Sequence, residues 1–213
     1  GYRIIDHAQH GATGLFSLAG GKLASYRVQA QEAADAVGAR LGVHATCETH
    51  QHTLPGGDSM PDEQELARVY GIDRLAARPL IARHGSLAPK VLDIGRESPT
   101  GYAVVCGVEP TLECEVRYCL RVEHVQHLGD LMARCRIAVG ACQGLDCGLR
   151  AAQIMAEERG LDSTDERAEL MDLLGRRWRA ARPVLTGLQL AQAELLMTQY
   201  TGLWQLPTLV PHA

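Results

Sequence analysis

The sequence predicts a mainly α protein: a short strand–turn–helix unit followed by a multi-helix domain. Three observations carry this. Apolar residues recur at helical spacing almost without interruption after Pro61. Glycines punctuate the pattern, at Gly71, Gly85, Gly160 and Gly202. Residues 14–19 read as a strand running into Gly20-Gly21-Lys22, and Leu23, Tyr26, Ala30, Ala33, Ala34, Val37 and Leu41 then follow at helical spacing up to Gly42.

The division expected along the chain is residues 1–50 for the first unit, 51–60 for a linker, 61–205 for the helical domain and 206–213 for a proline-containing tail. The stretch 44–60, with His, Thr, Pro and paired Gly, reads as irregular. Helices are expected at about 61–70, 73–84, 87–94, 111–122, 127–137, 147–159, 164–181 and 187–203, with Ser163 and Glu166 as a capping box for the last but one.

The 213 residues suffice for one large domain or two small ones. Hydrophobic residues make up 46% and charged residues 22%, ordinary for a globular protein. Only one Phe, two Trp and six Tyr are present, so the core should be Leu, Val, Ala and Ile. A net charge of −4 gives no reason to expect a nucleic-acid partner. No apolar run is long enough for a transmembrane segment. Gly1-Tyr2-Arg3-Ile4-Ile5 reads as the interior of a longer protein.

Seven cysteines are present, and six fall between 106 and 147. An odd count without a secretion signal argues against a disulfide framework and leaves metal ligation or burial as small apolar fillers. Cys106 is expected in a loop before a helix, and Cys142-Gln143-Gly144-Leu145-Asp146-Cys147 at the start of another. Helix starts favour thiolates through their free N–H groups. Cys114 and Cys119 stand five apart on one helix, so at most one should face that loop.

The Gly20-Gly21-Lys22 turn has a chemical reading and a plain one. Adjacent glycines let a ligand approach the backbone, a helix N-terminus favours an anionic group, and Lys22 adds charge. A turn of this kind also often holds nothing.

Other groups carry bland readings. His7, His10, His44, His50 and His52 read as solvated loop residues, and His124 and His127 as packing or capping residues. Arg176, Arg177, Arg179 and Arg182 read as a solvated face balanced by Asp165, Glu166, Glu169 and Asp172. Glu113, Glu115 and Glu123 have no visible base or nucleophile to pair with, and no catalytic dyad or triad is apparent.

Residues 14–35 resemble the segment that closes the FAD-binding domain of glycerol-3-phosphate dehydrogenases of the anaerobic large-subunit type. Gly20, Gly21, Lys22, Leu23, Tyr26 and Arg27 match, and Ala24 and Ser25 replace two threonines. The resemblance implies that Gly20, Gly21, Lys22, Leu23 and Ser25 contact FAD in the parent flavoprotein, of which residues 1–50 would be the terminal segment. No Gly-x-Gly-x-x-Gly fingerprint is present, so the chain alone should neither retain FAD nor turn over substrate.

Residues 104–160 resemble the [2Fe–2S] domain of bacterioferritin-associated ferredoxin. Cys106, Cys142 and Cys147 match three of its ligands, and Val108 stands at the fourth. The resemblance implies a bound cluster completed by another ligand, a vacant remnant, or another metal.

For the parent, the resemblance implies oxidation of sn-glycerol 3-phosphate to dihydroxyacetone phosphate, with electrons passing to a quinone in glycerol metabolism. The chain itself would be an electron-relay or subunit-docking domain. Its partners would be the rest of the flavoprotein and other dehydrogenase subunits, in the cytoplasm or on the inner face of the membrane. Two alternatives stand beside this: a non-catalytic scaffold with a lost iron–sulfur site, and the tail of a flavoprotein oxidase acting on another amino or hydroxy acid.

Overall fold

The computed structural model describes residues 1–207. The chain is mainly helical and divides into two compact units, residues 1–53 and 54–213. The expected tail falls mostly outside the described residues. Of its first residues, Leu206 is buried in a core cluster.

In the first unit, β1 (Tyr2–Asp6) pairs antiparallel with β2 (Phe16–Gly20), from Tyr2 opposite Gly20 to Asp6 opposite Phe16. Between them Asp6 Oδ1 accepts from the Ala8 N–H at 2.9 Å and caps a 3-10 turn, His7–His10. The sequence reading missed β1, although Tyr-x-Ile-Ile is a strand signal. Helix α1 (Tyr26–Leu41) follows a 3-10 turn at Leu23–Ser25 and ends on Gly42 at φ 70°. Its α-helical part thus begins three residues later than its apolar spacing suggests.

The second unit opens with a close backbone approach. Gly56 carries φ +84°, and Gly85 stands so near that a Cβ there would lie 1.8 Å from the Gly56 carbonyl oxygen. Only glycine fits at Gly85, and this pins residues 54–60 to the end of a helix.

Helices α2 (Glu63–Tyr70) and α3 (Arg74–His84) start on Asp62 and Asp73, whose carboxylates accept from Glu65 and Leu75 N–H groups at 2.8 and 2.7 Å. Helix α4 (Ala88–Ile94) begins with Pro89 in its first turn. A hairpin of β3 (Val104–Cys106) and β4 (Thr111–Leu112) leads into α5 (Glu113–Val122). The hairpin takes Thr111 and Leu112 from the expected helix and puts Cys106 at a strand end, where a loop was expected.

The expected helix at 127–137 breaks up. A 3-10 turn, Leu128–Asp130, runs into the single turn α6 (Leu131–Arg134). Arg136 and Ala138 then take φ of 63° and 64°, which no helix continues. Helix α7 (Gly148–Arg159), α8 (Ser163–Ala181) and α9 (Gly187–Leu203) complete the unit. The cap of α8 is Asp162, whose carboxylate accepts from Thr164 and Asp165 N–H groups at 2.8 and 3.0 Å; it displaces Ser163 from that role.

Helix α5 is buried between two apolar clusters. Cys114 and Tyr118, four residues apart, join Leu66, Leu80, Ile81, Val91 and Leu92. Val116 and Cys119 face the other way, into a cluster with Leu128, Leu131, Ile137, Ile154, Leu170 and Leu174. This matches the expected aliphatic core.

Two carboxylates of α5 are also fully buried. Glu115 accepts from Arg83 Nη2 at 2.8 Å and stands 3.0 Å from His84 Nε2. Glu113 accepts from Arg117 at 2.7 Å and from Arg150 at 2.8 Å. Burial pushes the Glu113 carboxyl up, but Arg150, Arg117 and Thr100 outweigh it and hold it below the usual 4.5.

These pairs generate a prediction. Glu115→Gln removes the charge facing Arg83 and His84 and should cost about 3–5 kcal/mol in urea unfolding, the penalty of an unmatched buried charge. The Glu113 contribution is fully present above pH 4.5 and is lost as pH falls through the depressed folded-state value. Urea midpoints measured from pH 7 down to pH 3 should therefore fall below pH 4.5, and Glu113→Gln should flatten that fall.

Candidate functional site

The glycine turn is built by its backbone. Gly20 and Gly21 carry φ of 83° and 94°, and a Cβ on Gly21 would lie 2.4 Å from Gln29 Nε2. Gln29 is the buried residue of α1, and its Nε2 donates to Lys22 O at 3.2 Å and Ser25 Oγ at 2.6 Å. Ser25 Oγ donates in turn to Lys22 O at 2.9 Å. One carbonyl thus collects the contacts that lock the turn. Lys22 and Leu23 remain exposed at the helix start. Free N–H groups of the first turn and a lysine ammonium suit an anionic or electron-rich partner, so the donor set fits a flavin edge.

Beside it, α1 and residues 43–49 enclose a cleft of about 870 Å³ lined by Arg27, Asp35 and Cys47 among others. Cys47 Sγ is 3.1 Å from Thr49 Oγ1, and Arg27 approaches at 4.0 Å. Thr49 first, then Arg27, holds the Cys47 thiol below its usual range.

The second candidate site lies in the loop between α6 and α7. Cys106 ends β3, and Cys147 stands at the start of α7, and both are buried; Cys142, between them, is half-buried. Burial first, then the neighbouring Cys106 and also Cys142, pushes the Cys147 thiol up to about 12. The Glu109 N–H points at Cys106 Sγ at 3.5 Å. The topology therefore brings Cys106 against Cys147, with Cys142 nearby.

The fourth expected position is Val108, which lies on the loop backbone. A Cβ added to Gly140 would meet Val108 Cγ1 at 2.6 Å. Cys114 belongs to the opposite cluster, and Cys119 lies in one core cluster with Cys135, whose neighbouring thiol and burial push its own up. Neither supplies a fourth ligand. Among the described residues no three His, Cys, Asp or Glu side chains form a metal-holding group. Three thiols and an isopropyl group do not fit the four-ligand set of a [2Fe–2S] cluster.

The loop is held by side chains that sequence reading passed over. Arg177 Nη1 donates to Ala138 O at 2.9 Å and also to Gln143 O. Tyr200 Oη donates to Cys142 O at 2.5 Å, and Thr111 Oγ1 to Cys135 O at 2.8 Å. Arg177 is thus not part of a solvated face, whereas Arg176 pairs with Asp172 at 2.6 Å as that reading holds. A sequence signal existed: an arginine beside Trp178 on the apolar side of a helix. His127 stands at the start of a 3-10 turn, its N–H on Asp130 and its ring 3.1 Å from Glu169.

Thiol reactivity should follow this environment. Cys114 and Cys147 are pushed up to about 12, and Cys119 is also raised, whereas Cys47 is lowered. At pH 8 an alkylating reagent should label Cys47 on the order of a thousandfold faster than Cys114 or Cys147, since the thiolate reacts. Peptide mapping of time points checks the order, and in denaturant all seven cysteines should react alike.

Known proteins are similar to this chain in sequence. Residues 47–167 match the family model described as the C-terminal domain of alpha-glycerophosphate oxidase. One subunit of the anaerobic glycerol-3-phosphate dehydrogenase of Escherichia coli (strain K12) is 33% identical over 204 residues, 95% of this chain and 37% of that protein. Its namesake in Haemophilus influenzae is 30% identical over 212 residues, 99% of this chain and 37% of that protein. A similarly named protein of Haloferax volcanii is 33% identical over 193 residues, 90% of this chain and 32% of that protein. The chain thus spans little more than a third of the length of these relatives. Helices α8 and α9, with Arg177 and Tyr200, lie largely beyond the matched family domain. Through that match over more than half its length, the chain belongs to the family of the C-terminal domain of alpha-glycerophosphate oxidase.

Proposed function

We propose that this chain is the C-terminal part of an FAD-dependent glycerol-3-phosphate dehydrogenase, which oxidises sn-glycerol 3-phosphate to dihydroxyacetone phosphate and passes electrons towards a quinone. The observation that carries the reading is the similarity, through 95% of the chain, to a protein named as part of the anaerobic enzyme. When bound, FAD supplies the hydride acceptor. Gly20 and Gly21 shape the turn on which its ring edge rests. Ser25 and Gln29 hold the Lys22 carbonyl, and the Lys22 ammonium faces developing negative charge. Exposed Leu15, Leu18, Leu23 and Tyr26 seat the first unit against the rest of the flavoprotein.

The helical unit then serves as a docking platform for other subunits rather than as an electron relay, because its thiol set lacks a fourth ligand. Exposed Leu188, Leu195 and Leu203 on α9 suit such a surface. Among the described residues no helix is long and apolar enough to cross a membrane, so attachment to the inner membrane face would run through those partners.

The test uses the full-length protein. It should retain FAD, and anaerobic sn-glycerol 3-phosphate should bleach the flavin absorption. A charge-assisted contact is worth about 1.5–3 kcal/mol, so Lys22→Ala should lower kcat/KM by about 10–100-fold. Bleaching by a different hydroxy or amino acid, and not by this substrate, would replace the reading with that of another flavoprotein oxidase.

A further inference from the structure

We infer that the loop from Cys135 to Cys147 is held by protein contacts in place of a metal, with Val108 standing where a fourth thiolate would be needed. This does not depend on the substrate assigned above.

Three residues of the loop adopt left-handed backbone without being glycine: Arg136, Ala138 and Gln143, at φ of 63°, 64° and 53°. Such residues are strained and persist only where surroundings over-determine them. In a metal-organised loop the thiolate–metal bonds would do this. Here protein groups do it at two of the three strained positions. Ala138 and Gln143 both give their carbonyl oxygens to the one Arg177 guanidinium. Between them Cys142 gives its carbonyl to Tyr200, and Cys135, which opens the loop, gives its carbonyl to Thr111. Gly144, at φ +94°, folds back so closely that a Cβ would lie 2.8 Å from Ala138 Cβ.

Arg177 and Tyr200 are anchored to the unit by α8 and α9, whose Leu170, Leu173, Leu174, Met197 and Trp204 sit in the same core cluster. The clamp therefore has a rigid base. Val108, on the β3–β4 connection, stays half exposed while its side chain packs against Gly140 of the loop, placing branched carbon where the resemblance puts a thiolate. Cys106 and Cys147 are buried thiols.

The experiment uses the whole chain, incubated anaerobically with ferrous iron and sulfide, or with zinc, and then desalted. The wild type should hold no iron, sulfide or zinc, develop no visible absorption, and melt at an unchanged temperature. Arg177→Ala should raise amide exchange across residues 138–143 by about tenfold or more, the loss of two hydrogen bonds of ordinary strength, whether or not iron was added. Tyr200→Phe, a milder change, should do the same at Gln143 and its neighbours should Arg177→Ala fail to fold. Val108→Cys supplies a fourth thiol and should acquire iron and sulfide with a cluster absorption band. Stoichiometric metal in the wild type with a raised melting temperature would overturn the inference. So would unchanged loop exchange in the clamp variants, or a Val108→Cys chain that stays bare.

Discussion

Helix α5 is the constraint on which the second unit turns. It places Glu113 and Glu115 in the interior, where an unmatched carboxylate would cost several kcal/mol. Each must be met by a cation from another element. Arg83 comes from α3, which also brings His84 within 3.0 Å of Glu115, and Arg150 comes from α7. The helix also divides its apolar residues between two clusters, so moving it would break both. Further pairs extend the lattice: Arg117 reaches Glu158 at 2.6 Å, and Arg121 reaches Glu158 and Glu97. Charge matching, rather than apolar area alone, fixes how α3, α5 and α7 sit together.

That frame explains why the cysteine-bearing segment is ordered at all. A thirteen-residue stretch without regular structure would ordinarily be mobile. Its carbonyls are claimed one by one by Thr111, Arg177 and Tyr200. The donors come from β4, α8 and α9, so the segment is a convergence point of the unit. Its resemblance in sequence to iron–sulfur domains and its incomplete ligand set are compatible, because a scaffold able to hold strained backbone by hydrogen bonds does not require the ion.

The first unit is built on different terms. Its two strands and one helix bury little besides Gln29, and apolar side chains such as Leu23, Leu41 and Val43 stand exposed. The order of the turn rests on polar contacts around one carbonyl. A small unit of this kind gains little from hydrophobic burial alone, which agrees with a segment that completes a larger domain.

Periodicity in the sequence determined most of the helices, because α2, α3, α7, α8 and α9 have glycine, aspartate or proline signals at their ends and apolar residues at the right spacing. It also determined the Gly20-Gly21 turn, since two adjacent glycines after a strand encode positive φ directly. Only the tertiary structure decided the break after Arg134, because left-handed Ala138 is held by an arginine 39 residues beyond it and Arg136 pairs with Glu109 of another segment. It alone showed which core cluster each of Cys114 and Cys119 enters, and put Cys119 in one cluster with Cys135. It alone turned Glu113 and Glu115 from apparent surface charges into interior ones and set half-buried Arg177 on two loop carbonyls. Local signals report the backbone a residue prefers; whether a charge is buried, and which carbonyl it meets, depends on chain segments that come together only on folding.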